Sequence, residues 1–214
     1  MEVSGALLSD IVRWTPSWCY YGTLFPSRAH GRRVLRQLFE ALPDARRFYD
    51  INLREGHWNL PLVERLCHLA SILKLNEQEA RTLAKLSGIS VSEYSLTTFC
   101  EVWAKGFDID TICVTLGEAG CYVYSGDEEC NVPGYSTIVE DTVGAGDAFA
   151  AATVSSLLNA AVLYRKVSGS DSEKAALAGT DISSSAGKLA IHFAASDTDF
   201  NSLLKSQLFQ SMVR

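Results

Sequence analysis

The chain has 214 residues, of which 47% are hydrophobic and 5 are proline; this suits one α/β domain with a sizeable core and makes two independent domains a tight fit. A net charge of −6 argues against general binding to nucleic acid or to an anionic membrane, because both need clustered Lys and Arg. No stretch approaches the roughly eighteen apolar residues of a membrane span, and no basic run followed by an apolar one opens the chain. With six cysteines scattered outside any metal-binding spacing, reduced thiols in a cytoplasmic protein are expected.

In chain order, residues 28–41 repeat apolar positions at Val34, Leu35, Leu38 and Phe39, the spacing of an amphipathic helix packed on a sheet. Its basic residues Arg28, Arg32, Arg33 and Arg36 read as a solvated face. Residues 46–51 read as a strand that delivers Asp50 and Asn52 near its carboxyl end. A helix over 60–69, a short buried strand over 71–75 and a helix from Asn76 through Leu86 follow. Asn76 is placed either simply to cap that helix or to meet a ligand. A strand over 112–116 turns through Gly117–Gly120 into Cys121–Tyr124, and two short β segments near 130–132 and 135–139 come next. The alternation of strand and helix predicts parallel strands joined by right-handed crossovers, with ligand groups gathered at the strands' carboxyl ends.

The run Asp141-Thr142-Val143-Gly144-Ala145-Gly146-Asp147 then leads into the Ala-rich stretch 148–158. The first turn of a helix has N–H groups without intrahelical partners, and it carries the positive end of the macrodipole. Gly144, Ala145 and Gly146 therefore offer donors that a phosphate can approach closely, glycine removing the Cβ that would block it. Asp147, at the rim of this cradle, stands where a general base would meet an attacking hydroxyl. The plain alternative is a helix cap and a turn.

The heptapeptide, continuing into Ala148-Phe149-Ala150-Ala151, resembles the second signature of the PfkB (ribokinase-like) carbohydrate kinases. Other pieces occur in that family's order. Asp50-Ile51-Asn52-Leu53-Arg54 with Trp58 is similar to the D-x-N-x-R…W segment of fructokinase and 2-keto-3-deoxygluconate kinase members, preceded by the turn Tyr21-Gly22-Thr23-Leu24. Asn76-Glu77-Gln78-Glu79 resembles the N-x-x-E element, and Val114-Thr115-Leu116-Gly117-Glu118-Ala119-Gly120 the V-T-x-G-x-x-G nucleotide loop. The resemblance runs from about Leu7 to about Leu163 and covers the middle and C-terminal parts of a family member. The opening strand, Gly-Gly signature and lid strands have no counterpart, so a truncated kinase is expected. Towards the C-terminus, residues 166–185 are polar and Ser196-Asp197-Thr198-Asp199 replaces a small-residue turn, which departs from the family's adenine-walling helix.

The resemblance implies a three-layer α/β sandwich with a mostly parallel central sheet, forming a single domain over 1–214 without the lid region. It implies Asp147 as catalytic base, and Gly144, Ala145 and Gly146 as the anion hole. It places Asn76, Glu79, Thr115, Gly117 and Gly120 at the nucleotide, and Asn52 and Arg54 between sugar and phosphate. ATP with Mg²⁺ held through water near Glu79 is implied, as is a monovalent cation such as K⁺ near Asp141, for which helix-terminus electrostatics is the ordinary alternative. His30, His57, His68 and His192 share no metal-binding spacing, and His57 and His68 read as a surface and a structural residue. The expected partners are a small sugar and ATP. The sheet edge and face left uncovered by the missing part would favour a homodimer. ATP-dependent phosphorylation of a sugar hydroxyl is the leading expectation, and a noncatalytic remnant that keeps a nucleotide cradle is the alternative.

Overall fold

The computed structural model describes residues 5–90, 92–126, 128–134, 146, 149–151 and 153. The chain divides into two compact units, Met1–Val114 and Thr115–Arg214. Strands and helices alternate along most of the chain, so the fold class is α/β, as the sequence predicts.

The first unit opens with α1 (Gly5–Arg13), β1 (Trp18–Gly22) and a 3-10 turn (Phe25–Ser27). It continues through α2 (Ala29–Ala41), β2 (Arg46–Asp50), α3 (Leu60–Cys67), β3 (Ile72–Asn76), α4 (Glu77–Leu86) and α5 (Leu96–Phe107) to β4 (Thr111–Thr115), whose last residue opens the second unit. β1, β2 and β3 are parallel neighbours, with Tyr20 opposite Phe48, Gly22 opposite Asp50, and Asp50 opposite Lys74. β4 lies next to β3, and the N–H groups of Asp110 and Thr111 donate to the Ser71 carbonyl at its start.

Side chains alternate across a strand, so the register sorts residues onto two faces. Tyr20 stacks on Phe48 on one face, while Tyr21 stacks on Tyr49 at 4.9 Å on the other. The second face receives α2, whose Leu35 and Phe39 are buried one turn apart, and Phe39 meets Tyr21 edge-on. The Tyr21 hydroxyl donates to the Leu66 carbonyl of α3 at 2.8 Å, so the buried ring keeps a partner for its polar end. Phe48, Tyr49, Ile72 and Leu73 are wholly buried, and each large apolar side chain so placed contributes roughly 1.5–3 kcal/mol. Gly31 sits where any Cβ would collide with the Phe25 carbonyl, which lets α2 press against the 3-10 turn.

Sequence and structure differ mainly at element ends. β2 stops at Asp50, α3 stops at Cys67 and β3 extends to Asn76. These are shifts of one or two residues, where helices fray and ladders end. Helix α5 was not anticipated: its first turn holds two threonines, yet Ser95 caps it by accepting the Thr98 N–H at 2.9 Å, and Phe99, Cys100 and Trp103 are buried along one face. Arg28, which precedes α2, and the three arginines within it are exposed, as expected of a solvated face. Cys19, Cys67, Cys100, Cys113 and Cys121 are buried and form no disulfide; burial pushes the Cys67 thiol up and that of Cys121 to about 12, which makes these two inert packing groups.

In the second unit a 3-10 turn (Gly117–Ala119) leads into β5 (Gly120–Ser125), which pairs antiparallel with β6 (Glu128–Pro133), Tyr122 opposite Asn131. Gly146, Phe149, Ala150, Ala151 and Thr153 are helical, and Phe149 and Ala150 are buried. The expected β segment over 135–139, the polar stretch 166–185, residues 196–199 and His192 lie outside the described residues. Among the described residues no helix is long and apolar enough to cross a membrane.

Candidate functional site

Two of the sequence-predicted groups are built at the carboxyl ends of β2 and β3. Strand β2 ends at Asp50, and the chain passes through Ile51 into Asn52, whose φ of +43° is left-handed. A non-glycine residue held there costs of the order of 1 kcal/mol and persists only where its surroundings fix it. Three contacts do so. The Ile51 N–H donates to the Lys74 carbonyl at 2.9 Å, the Thr23 hydroxyl donates to the Ile51 carbonyl, and the Leu53 N–H donates to Glu79 Oε1 at 2.7 Å.

Glu79 stands in the first turn of α4, directly after β3. Asn76 caps α4 by accepting the Glu79 N–H on Oδ1 at 2.8 Å, and Glu79 Oε2 accepts the Asn76 N–H at 2.9 Å, a reciprocal capping box. One carboxylate therefore takes an amide from the loop after β2 and one from the end of β3, and ties Leu53 to Asn76. Burial raises the Glu79 pKa from its ordinary value; the amides of Asn76 and Leu53 and the charge of Lys74 oppose that rise, and Asp50 adds to it. Among the described residues the carboxamides of Asn52 and Asn76 have no partner beyond the cap, and the exposed Arg54 guanidinium is unpaired. Each of these two amides and this cation is exposed to solvent, and such donors suit an oxygen-rich anion.

Beneath them lies a feature that sequence reasoning missed. Lys74 Nζ donates to both Asp50 oxygens at 3.0 Å, and the Tyr20 hydroxyl donates to Oδ2 at 3.0 Å. Asp50 is 2% and Lys74 7% exposed, in strands whose neighbouring positions are apolar. The available signal was a lysine inside Ile-Leu-Lys-Leu, a run that otherwise reads as a fully buried parallel strand.

The β4–β5 turn carries Thr115, Gly117 and Gly120. Gly117 adopts φ +62° and Gly120 φ +101°. A Cβ at Gly120 would collide with the backbone of Val132 and Gly134, whereas Gly117 has open space around it. The Leu116 N–H donates to the Gly120 carbonyl at 2.8 Å and closes the turn. Gly120 is therefore required by the packing of the hairpin, and Gly117 is exposed. Gly146 is exposed and helical; Asp141, Gly144, Ala145 and Asp147 lie outside the described residues.

His57 is exposed in the loop after β2, and His68 packs edge-on against Phe107 at 4.9 Å. Among the described residues no group of three or more His, Cys, Asp or Glu is arranged to hold a metal. Both Glu79 oxygens are engaged by amides, so this carboxylate suits contact with a hydrated cation through water and not direct ligation. A surface depression of about 520 Å³ lined by Ser87, Gly88, Ile89, Glu93, Thr98 and Val102 involves none of the sequence-predicted site residues.

Comparison with known proteins supplies the rest. The uncharacterised sugar kinase YegV of Escherichia coli K12 is 31% identical over 124 residues, covering 58% of this chain and 37% of that protein. Fructokinase-1 of Oryza sativa subsp. japonica is 37% identical over 109 residues, or 49% of this chain and 32% of that one. The crystal structure of aminoimidazole riboside kinase from Salmonella enterica, complexed with aminoimidazole riboside and an ATP analogue, matches with a TM-score of 0.53 at 26% identity, over 64% of this chain and 46% of that one. The chain thus spans about a third to a half of the length of these relatives. The ribokinase-like fold expected from the motifs is borne out. With residues 18–186 matching the pfkB family carbohydrate kinase pattern, the chain belongs to the pfkB family of carbohydrate kinases.

Proposed function

We propose that the chain takes part in ATP-dependent phosphorylation of a sugar hydroxyl, in the manner of fructokinases or 2-keto-3-deoxygluconate kinases. The observation that carries this reading is the Glu79 carboxylate, which joins the Asn52–Arg54 loop to the Asn76 cap and leaves their donors free for an anionic ligand. The relative of known structure was crystallised with a riboside and an ATP analogue, which agrees with a site for a sugar and a nucleotide.

Phosphoryl transfer asks a protein for positioning and charge stabilisation more than for covalent chemistry. Asp147 would accept the proton of the attacking sugar hydroxyl on its carboxylate. The amides of Gly144, Ala145 and Gly146 would donate to the transferring group as its charge redistributes. Asn52 and Arg54 would orient oxygens between sugar and phosphate, while Asn76 and the exposed turn at Gly117, with Thr115 and Gly120, would bind the nucleotide. Mg²⁺ arriving with ATP supplies neutralisation of phosphate charge, and Glu79 would meet it through water. Asp141 would serve a monovalent cation. The buried free thiols agree with a reducing, cytoplasmic setting.

The test is ADP release by the purified chain with Mg²⁺ and ATP, offered fructose, 2-keto-3-deoxygluconate, ribose or adenosine in turn. Turnover should depend on one sugar and fall at least about a hundredfold in Asp147→Asn, with nucleotide affinity nearly unchanged. Nucleotide binding without sugar-dependent turnover would instead support a noncatalytic nucleotide-binding role, a reading that the partial coverage of the relatives keeps in view.

A further inference from the structure

Doubly wound sheets bury both faces of their central strands, and such strands are ordinarily apolar throughout. β3 breaks that rule at Lys74, the residue paired with Asp50 at the last register position shared by β2 and β3. A buried ion pair gains little stability over well-packed apolar residues of the same volume, so its presence is not explained by stability. Its place is informative. The pair sits at the last paired position of the two strands, Asp50 two residues before Asn52 and Lys74 two before Asn76. Beyond it the two loops are tied to each other by the Glu79 carboxylate.

We propose that the buried Asp50–Lys74 pair, completed by the Tyr20 hydroxyl, is a positioning element that fixes the ends of β2 and β3 and so holds Asn52 and Asn76 in their ligand-facing places. The physical case has two parts. The two hydrogen bonds from Nζ and the third from Tyr20 draw β1, β2 and β3 together at one carboxylate, two residues before the left-handed Asn52. The ammonium also neutralises Asp50, whose charge would otherwise stand beside Glu79 and beside a site that receives anions. Lys74 further favours the ionised form of Glu79 against burial, and that form accepts an amide on each oxygen. The groups acting on Glu79 are Asp50 of β2, Lys74 of β3 and the backbone amides of Leu53 and Asn76. Local rules of sequence are most often broken where function requires it, and a lysine inside a buried strand is such a break.

This role rests on the proposed kinase reading for its purpose, but its test does not require turnover. The double variant Asp50→Leu with Lys74→Met removes both charges and keeps the volume, so it is expected to fold; Lys74→Arg keeps the charge and both hydrogen bonds. Amide hydrogen exchange at Leu53 and Asn76, whose N–H groups end on Glu79, reports the loops directly. The dissociation constant for Mg²⁺–ATP, read by equilibrium binding, reports the site. The double variant should exchange at least tenfold faster at these two amides and bind nucleotide at least tenfold more weakly, with thermal stability equal to or above the parent, and Lys74→Arg should recover most of both. Exchange and affinity within twofold of the parent would overturn the proposal, as would a double variant that fails to fold, since the pair would then be a requirement of the core. Sugar-dependent ADP release by the unaltered chain is measured alongside; its absence counts against the kinase reading and leaves the exchange result to decide the positioning role.

Discussion

Strand β2 begins and ends in an ion pair, and the two pairs differ in almost every physical respect. At its start Arg46 Nη2 meets Asp110 Oδ2 at 2.6 Å, with side chains 35% and 49% exposed. At its end Asp50 meets Lys74 at 3.0 Å, with side chains 3% and 9% exposed. The shorter contact is the weaker device, because water screens it and its side chains lose entropy to hold it. The longer contact lies where no water shares the charge, so each partner depends on the other. The sheet's amino end is therefore fastened by replaceable polar contacts. The carboxyl end, from which Asn52 and Asn76 emerge, is fastened by groups whose loss is expensive.

The sharpest way to break this contrast is to remove a single buried partner. Lys74→Met takes from the buried Asp50 carboxylate the ammonium that donates to both of its oxygens. A loss of about 3–5 kcal/mol is expected, read as a lower midpoint of urea unfolding at an unchanged slope. A loss below about 1 kcal/mol would place the two ends of β2 in the same class.

Glu79 offers a smaller and pH-dependent version of the same test. Burial raises its folded-state pKa above the ordinary carboxylate value, so in the intervening pH window the folded chain binds more proton than the unfolded one. Stability therefore falls as pH rises through that window, by at most about 1.4 kcal/mol per pH unit for one group. Glu79→Gln should lack this slope. Urea unfolding of both chains from pH 4 upward checks the sign: the stability of the parent relative to the variant should be greatest at the acid end and decline as pH rises. A difference that grows with pH would mean that the amides of Leu53 and Asn76 outweigh burial.

Much of the first unit was legible because its signals are local. The apolar spacing in α2, the alternation of strand and helix, and Asn76 followed three residues later by Glu79 each report a structure formed within a few residues. The Asn52 and Asn76 motifs point to two segments by resemblance, but the bond that joins them runs from Leu53 to Glu79 across 26 residues and has no local signature. The same is true of Asp50 and Lys74, 24 residues apart, whose proximity follows only from the register of β2 on β3. Helix α5 was missed for the opposite reason: its cap and apolar face are local, yet two β-branched residues in its first turn dilute the pattern. Gly120 was read as a nucleotide-loop residue, and the structure adds a second constraint, the backbone of β6 pressed against it.

The mildest perturbation completes the contrast at the other end of β2. Arg46→Ala removes the exposed pair with Asp110 and also the guanidinium lying 5.1 Å over the Trp18 ring. The ion pair itself is worth up to about 1 kcal/mol, and a cation over the half-buried Trp18 ring adds about 0.5–1 kcal/mol. The two parts respond differently to salt. At about 1 M salt the Debye length shrinks to about 3 Å, so the Coulombic share should largely vanish while the stacking share persists. Urea unfolding of Arg46→Ala and its parent at low and high salt should therefore show a difference that narrows with salt but does not close. For Lys74→Met the same comparison should show no narrowing, because salt does not reach a buried pair. Equal salt responses at the two ends would mean that water reaches Asp50 and Lys74 in solution, and the positioning role assigned to their burial would lose its physical basis.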